Sequence, residues 1–153
     1  MSLIEAKLSE LGISLPSVSA PIGNYVPFVL SGKLLFISGQ GPKDSNGQWC
    51  CGKVGGDLSV EMGYQHARLA GMRMLAVAKA AMGSLDRVQQ VVKLLGIVNA
   101  TPGFHQHPAV INGCSDLLVQ LFGDVGRHAR SAIGVSSLPA NMSVEIEGVL
   151  EFI

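Results

Sequence analysis

Residues 129–147, ARSAIGVSSLPANMSVEIE, are the stretch on which the fold turns. From Ser143 to Ile153 the side chains alternate, with Val144, Ile146, Leu150 and Phe152 on one side and Glu145, Glu147 and Glu151 on the other. That period of two marks a half-buried strand whose glutamates point away from the apolar face. Ser131 to Ser136 reads as a second strand. Between them Leu138-Pro139-Ala140-Asn141 supplies a turn, because proline presets φ and asparagine tolerates tight backbone geometry. The expected unit is a β-hairpin with Arg130 at its mouth. A guanidinium there is a rigid two-pronged donor that matches a carboxylate. The carboxylate could belong to a ligand or to Glu145 or Glu147 on the neighbouring strand, and spacing alone leaves both open.

Working outward, the chain reads as helix, two strands, long helix, strand, helix, two strands, an α+β order with no internal repeat or low-complexity linker. A first helix, Ser2 to Leu11, ends at Gly12. Tyr25 to Leu30 and Lys33 to Ser38 form a hairpin around Ser31-Gly32, followed by a polar loop, Pro42 to Gly47, that ends in an Asn-Gly turn. Between Ser59 and Met82, apolar residues at Val60, Tyr64, Ala67, Gly71, Met74, Leu75, Ala78 and Met82 keep the three-and-four rhythm of a helix with one buried stripe. Gln89 to Asn99 is strand-like, and Pro108 to Phe122 is a helix with Val110, Cys114, Leu117, Leu118 and Leu121 along one side. The two helices are expected on one face of the sheet.

Composition bounds the function. The 153 residues are one domain's worth, enough for one substantial core. Eleven basic residues balance eleven acidic ones, so no global field draws the chain to nucleic acid, where affinity rests on many phosphate contacts. With 48% hydrophobic and only 14% charged residues, part of the surface is expected to be an interface. Arg73, Lys79 and Lys93 interrupt the apolar stretches, which excludes a membrane span. The N-terminus carries Glu5 and Glu10 in an amphipathic pattern and does not read as a signal peptide, so a cytoplasmic location is expected.

Three cysteines, two of them adjacent at Cys50-Cys51, suit the reduced state, and none sits in a nucleophile motif. The glycines at 52, 55 and 56 lack the lysine and hydroxyl residue that close a P-loop. His105 and His107, with His66 or His128, fall short of a metal site, because three or four converging ligands are needed. No metal and no cofactor is expected. Trp49 and Tyr64 are too isolated to make a base-stacking platform.

Three separated elements carry a family resemblance: Ile22-Gly23-Asn24-Tyr25, Ile37-Ser38-Gly39-Gln40-Gly41-Pro42, and the Arg130 to Glu147 segment. Together they resemble the RidA/YjgF family, the reactive intermediate deaminases also called L-PSP endoribonuclease-like proteins. The resemblance implies a chorismate-mutase-like domain spanning 1–153, with 1–18 as an N-terminal helical extension, and a homotrimer whose sheets curve around a barrel-like centre. It further implies hydrolytic deamination of reactive 2-imino or 2-enamino acids to 2-keto acids and ammonia, in a cleft between subunits. Arg130 matches the arginine that grips the carboxylate of the small substrate, and Glu145 the glutamate that holds and activates water. Tyr25 matches a pocket aromatic, Ser38 and Gly39 the pocket rim, and Asn112, by a looser alignment, a pocket asparagine.

Two departures stand out. Ala132 replaces a cysteine common in the family, which removes the thiol but keeps a backbone carbonyl able to accept a hydrogen bond from an imine nitrogen. The second is an insertion from Pro102 to Pro108, PGFHQHP, which lengthens the approach to the second helix. Two alternative readings stay open: a non-catalytic trimer that binds a small carboxylate or keto acid as a sensor, and RNA cleavage, against which the balanced charge counts.

Overall fold

The structure, a computed structural model, describes residues 2–153. Its longest element, α2 (Val60–Met82), begins where the Ser59 hydroxyl accepts the Met62 N–H and ends at Gly83, whose φ of 83° leaves the helix. Ala67, Ala70, Gly71, Met74, Leu75, Ala78 and Met82 form its buried stripe. The next helix, α3 (His107–Phe122), carries Pro108 in its first turn and ends at Gly123. The two helices touch so closely that a Cβ on Gly113 would lie 1.9 Å from the Tyr64 carbonyl oxygen. Only glycine fits that position.

Both helices pack on one face of a five-stranded sheet ordered β1-β2-β5-β3-β4. Its strands are β1 (Phe28–Ser31), β2 (Leu34–Gln40), β3 (Val88–Asn99), β4 (Ala129–Val135) and β5 (Val144–Phe152). The element order matches the sequence expectation, and the period-two pattern of β5 holds, with Val144, Ile146 and Leu150 buried against the helices. This α+β layering, two helices on one side of a mixed sheet, is the architecture of the chorismate-mutase-like fold.

The expected hairpin is not formed. β4 runs parallel to β3, and β5 lies antiparallel between β2 and β3, so β4 and β5 never pair. The cause is the crossover through α3, which returns the chain to the sheet in the direction of β3 and sets β4 on the outer edge. The Leu138–Asn141 segment then carries the chain past β3. It is a 3-10 turn with Ala140 and Asn141 both at φ 55°, tied to residues 50–52 by the Gly52 N–H to Asn141 carbonyl and Ser143 N–H to Cys50 carbonyl bonds.

Among the described residues no helix covers the other face of the sheet. Val29, Phe36 and Ile133 are exposed there, and a shallow cavity of about 470 Å³ runs along it between Val29, Phe36, Lys93, Leu95, Glu147 and Val149.

The first helix, α1 (Leu3–Glu10), buries Ile4 and Leu8 in the common core. Its two leading N–H groups, on Leu3 and Ile4, donate to the Asp86 carboxylate at 3.0 and 2.8 Å, and Lys7 Nζ donates to the Leu121 carbonyl. A carboxylate at a helix N-terminus satisfies orphan donors and the dipole together. Asp86→Ala is expected to cost about 1 kcal/mol and to lower Tm by about 2–4 °C, read by thermal melting. An unchanged Tm would show that the Asp86 cap does not help to hold α1.

Candidate functional site

An irregularity in β2 opens the site. The pairing of β2 with β5 shifts register between Ile37 and Gln40, so Ser38 and Gly39 bulge out of the ladder. The Ser38 hydroxyl donates to the Val26 carbonyl at 2.7 Å and so ties the segment before β1 to this bulge. Tyr25, more than half exposed, is thereby hung over the edge of the sheet. Beneath it lies a cavity of about 500 Å³ whose lining includes Tyr25, Gly39, Gln40, Trp49, Met142 and Glu145.

Glu145 occupies this cavity because β5 turns its even-numbered residues, Val144 and Ile146, to the helices and its odd-numbered ones to the open face. A Cβ on Gly39 would come within 2.6 Å of Glu145 Oε1. The glycine therefore leaves room for the carboxylate. Burial first, and then the charge of Glu147, push the Glu145 carboxyl above its ordinary value. A half-buried carboxyl with a raised pKa holds a proton more readily than an exposed one, which suits a group that takes a proton from water.

Arg130 lies elsewhere. On β4 it points to the helix side, where its Nη1 donates to Asn112 Oδ1 at 2.8 Å and Ser115 Oγ at 3.0 Å, both on α3. Among the described residues no carboxylate pairs with it; the ion pairs are Lys79 with Glu5 and Arg127 with Asp124. The sequence alternative of an Arg130 to Glu145 or Glu147 link is therefore not realised within the chain. β3 separates β4 from β5, and the two side chains leave opposite faces of the sheet.

The backbone of β4 has a free edge. The Val135 carbonyl accepts the Ala100 N–H on the β3 side, and carbonyls alternate direction along a strand. The Ala132 carbonyl, an odd number of residues away in an unbroken register, faces the unpaired edge.

Of the seven residues singled out in the sequence, Tyr25, Gly39 and Glu145 line one cavity, and Ser38 lines the open-face cavity beside it. Arg130, Asn112 and Ala132 gather at the far edge. One chain does not bring the two groups together.

Sequence reasoning missed Ser115 and a cationic cluster. Ser115 lies three residues after Asn112 on α3, a spacing that places both on one helix face, so it was discoverable. The cluster joins Lys43 and Arg73 to Trp49, with Nζ 4.4 Å and the guanidinium carbon 5.2 Å from the indole centroid. Lys43 and Trp49 face each other across one loop while Arg73 comes from α2, and no local pattern announces the three together. Both cations line the Tyr25 and Glu145 cavity, and burial lowers the Arg73 pKa from its ordinary value.

Other groups are occupied. His66 Nδ1 is 2.8 Å from the buried Ser143 hydroxyl, and burial pushes the Cys114 thiol up to about 12, which leaves it protonated and unreactive. His105 and His107 border another cavity with Lys53, and among the described residues no three His, Cys, Asp or Glu side chains converge as metal ligands. None of the described helices is long and apolar enough to cross a membrane.

The mixed sheet backed by two helices, with a carboxylate cavity beside the β2 bulge and, among the described residues, an acid-free arginine on the edge strand β4, is a domain of chorismate-mutase-like fold. Residues 5–148 match the family described as "YjgF/chorismate_mutase-like, putative endoribonuclease". The chain is 44% identical over 149 residues to Protein TCP17 of Trypanosoma cruzi, covering 97% of this chain and 93% of that protein. Among solved structures, protein Atu1372 of Agrobacterium tumefaciens, described as of unknown function, superposes with a TM-score of 0.92 at 43% identity, over 99% of this chain and 93% of that one. A Shewanella oneidensis MR-1 protein described as "a putative endoribonuclease" gives 0.93 at 35% identity, over 97% of this chain and 99% of that one. The protein belongs to the YjgF/RidA family.

Proposed function

We propose that this protein hydrolyses reactive 2-imino and 2-enamino acids to 2-keto acids and ammonia, in a cleft shared by two subunits of a homotrimer. One observation carries the reading: a carboxylate in a cavity, on the central strand β5, and an arginine with no acid partner among the described residues, on the edge strand β4, stand on opposite faces of one sheet. Neither half forms a site alone. Side-by-side association that sets the β4 edge of one subunit against the β2 and β5 bulge of the next joins them, and the exposed apolar sheet face favours it.

In that cleft, Arg130 of the partner subunit holds the substrate carboxylate with two parallel N–H donors while Asn112 and Ser115 fix its rotamer. Glu145 accepts a proton from water as the water oxygen bonds to C2 and the C=N electron pair moves to nitrogen. The same carboxyl returns the proton to nitrogen. Glu145 then carries the hydroxyl proton to the amino nitrogen, the C–N bond breaks as the oxygen electron pair closes to the keto group, and the nitrogen leaves with the bonding pair as ammonia. The Ala132 carbonyl, facing the free edge, accepts a hydrogen bond from the imine N–H, and Tyr25 covers the substrate's apolar side. Balanced charge supplies no attraction to a phosphate backbone, and RNA cleavage is not carried over from the Shewanella protein.

The test generates the imine in situ with an amino acid oxidase and follows keto acid and ammonia. Turnover above the spontaneous rate supports the reading; binding of keto acid without turnover would reduce it to a sensor. The pH profile supplies a second check. Because burial and Glu147 raise the Glu145 carboxyl, the acid limb of kcat/KM should lie above 4.5, with activity lost as pH falls through it. Glu147→Gln removes the second cause and should shift that limb to lower pH.

A further inference from the structure

We infer that the Tyr25 and Glu145 cavity contains a second anion subsite, built from Arg73 and Lys43 against Trp49, that selects 2-imino acids bearing a side-chain carboxylate. The inference rests on the deaminase reading for the reaction, while the subsite itself rests on geometry within one chain.

The cluster is a built feature. Residues 42–50 close on themselves: Cys50 N–H donates to the Pro42 carbonyl at 3.0 Å and Asp44 N–H to the Gln48 carbonyl at 2.9 Å, and Lys43 pairs with Trp49 across the loop. The Asp44 carboxylate, the nearest acid in sequence, takes the N–H groups of Asn46 and Gln48 through Oδ1. Trp49 is wedged under Gly41, where a Cβ would lie 3.0 Å from its ring. Arg73 arrives from α2 on the same indole.

Two cations therefore share one aromatic ring, which attracts positive charge without neutralising it. Among the described residues neither has an acid within ion-pair distance, and Arg73 Nε is buried with no acceptor. Burying a charge without a partner is costly. A ligand anion seated between Lys43 and Arg73 supplies what the chain does not.

Charge bounds its class. Lys43 and Arg73 against Glu145 leave the cavity one positive charge, and Arg130 of the partner subunit would add another. A dicarboxylate matches that total, whereas a phosphate ester of a carboxylic acid exceeds it by about one negative charge. The cavity, about 500 Å³, is of the size that encloses a small metabolite.

The experiment compares the imine released in situ from glutamate with that from 2-aminobutanoate, on wild type, Arg73→Met, Arg73→Lys and Lys43→Met. Wild type should favour the dicarboxylate in kcat/KM. Arg73→Met should lower the ratio of dicarboxylate to monocarboxylate kcat/KM about ten-fold or more, with Arg73→Lys retaining most of it. A wild-type preference for the monocarboxylate, or a ratio unmoved by Arg73→Met, overturns the subsite. Calorimetry with glutarate and butyrate reads the same preference without turnover. If no imine is hydrolysed but glutarate binds more tightly and loses that advantage in Arg73→Met, the reaction assignment fails and the subsite stands. Equal binding of the two acids overturns the subsite whatever the activity.

Discussion

Glu145→Gln is expected to lower kcat for imine hydrolysis by about 10²–10⁴-fold, the usual contribution of a positioned general base, while keto acid binding persists. Glutamine is the same size, so it keeps the packing against Gly39 and removes only the ability to take a proton. The stability response has the opposite sign. The Glu145 pKa is raised in the folded state, so ionising it costs the fold free energy as pH rises through the folded value. Removing the ionisable group should leave Tm at neutral pH equal or higher. A variant that is less active and at least as stable is the signature of a catalytic carboxylate. Full activity in Glu145→Gln would remove the water-activation role.

Arg130→Ala should lower kcat/KM at least about a hundred-fold, because two charge-assisted hydrogen bonds at about 1.5–3 kcal/mol each are lost, at about 1.4 kcal/mol per ten-fold. Arg130→Lys should recover only part, since an ammonium keeps the charge without the planar fork. A mixing experiment tests the shared cleft. Trimers reassembled from equal amounts of Arg130→Ala and Glu145→Gln chains, each inactive alone, should regain about a quarter of wild-type activity, because random assembly brings an intact Arg130 beside an intact Glu145 at one interface in four. No recovery would place both residues in the same subunit's site, contrary to their positions on opposite sheet faces.

Much of the architecture was legible in the residues. Ser59 and Gly83 bound the long helix, the glutamate alternation marks β5, and the Gly-x-Tyr, Ser-Gly-Gln and Arg130 to Glu147 elements together announced the family. Pairing was another matter. Residues 129–147 read as two strands around a proline turn, and proximity in sequence suggested a hairpin. The crossover through α3 instead places β3 between the strands, and partner choice depends on that long-range connection.

The candidate site divides along the same line. Tyr25, Gly39 and Glu145 were recognisable from motifs, and the bulge at Ser38 and Gly39 brings them to one cavity. Trp49 read as an isolated aromatic, because Lys43 meets it only through closure of the 42–50 loop and Arg73 only through the packing of α2.

Sequence by itself determined the elements, the buried stripes and the family, since periodicity, caps and short motifs are local properties of the chain. Only the tertiary structure decided that Arg130 and Glu145 leave opposite faces of the sheet, and that two cations converge unpaired on one indole. Those facts depend on strand order and close packing, which arise from contacts between residues remote in the chain.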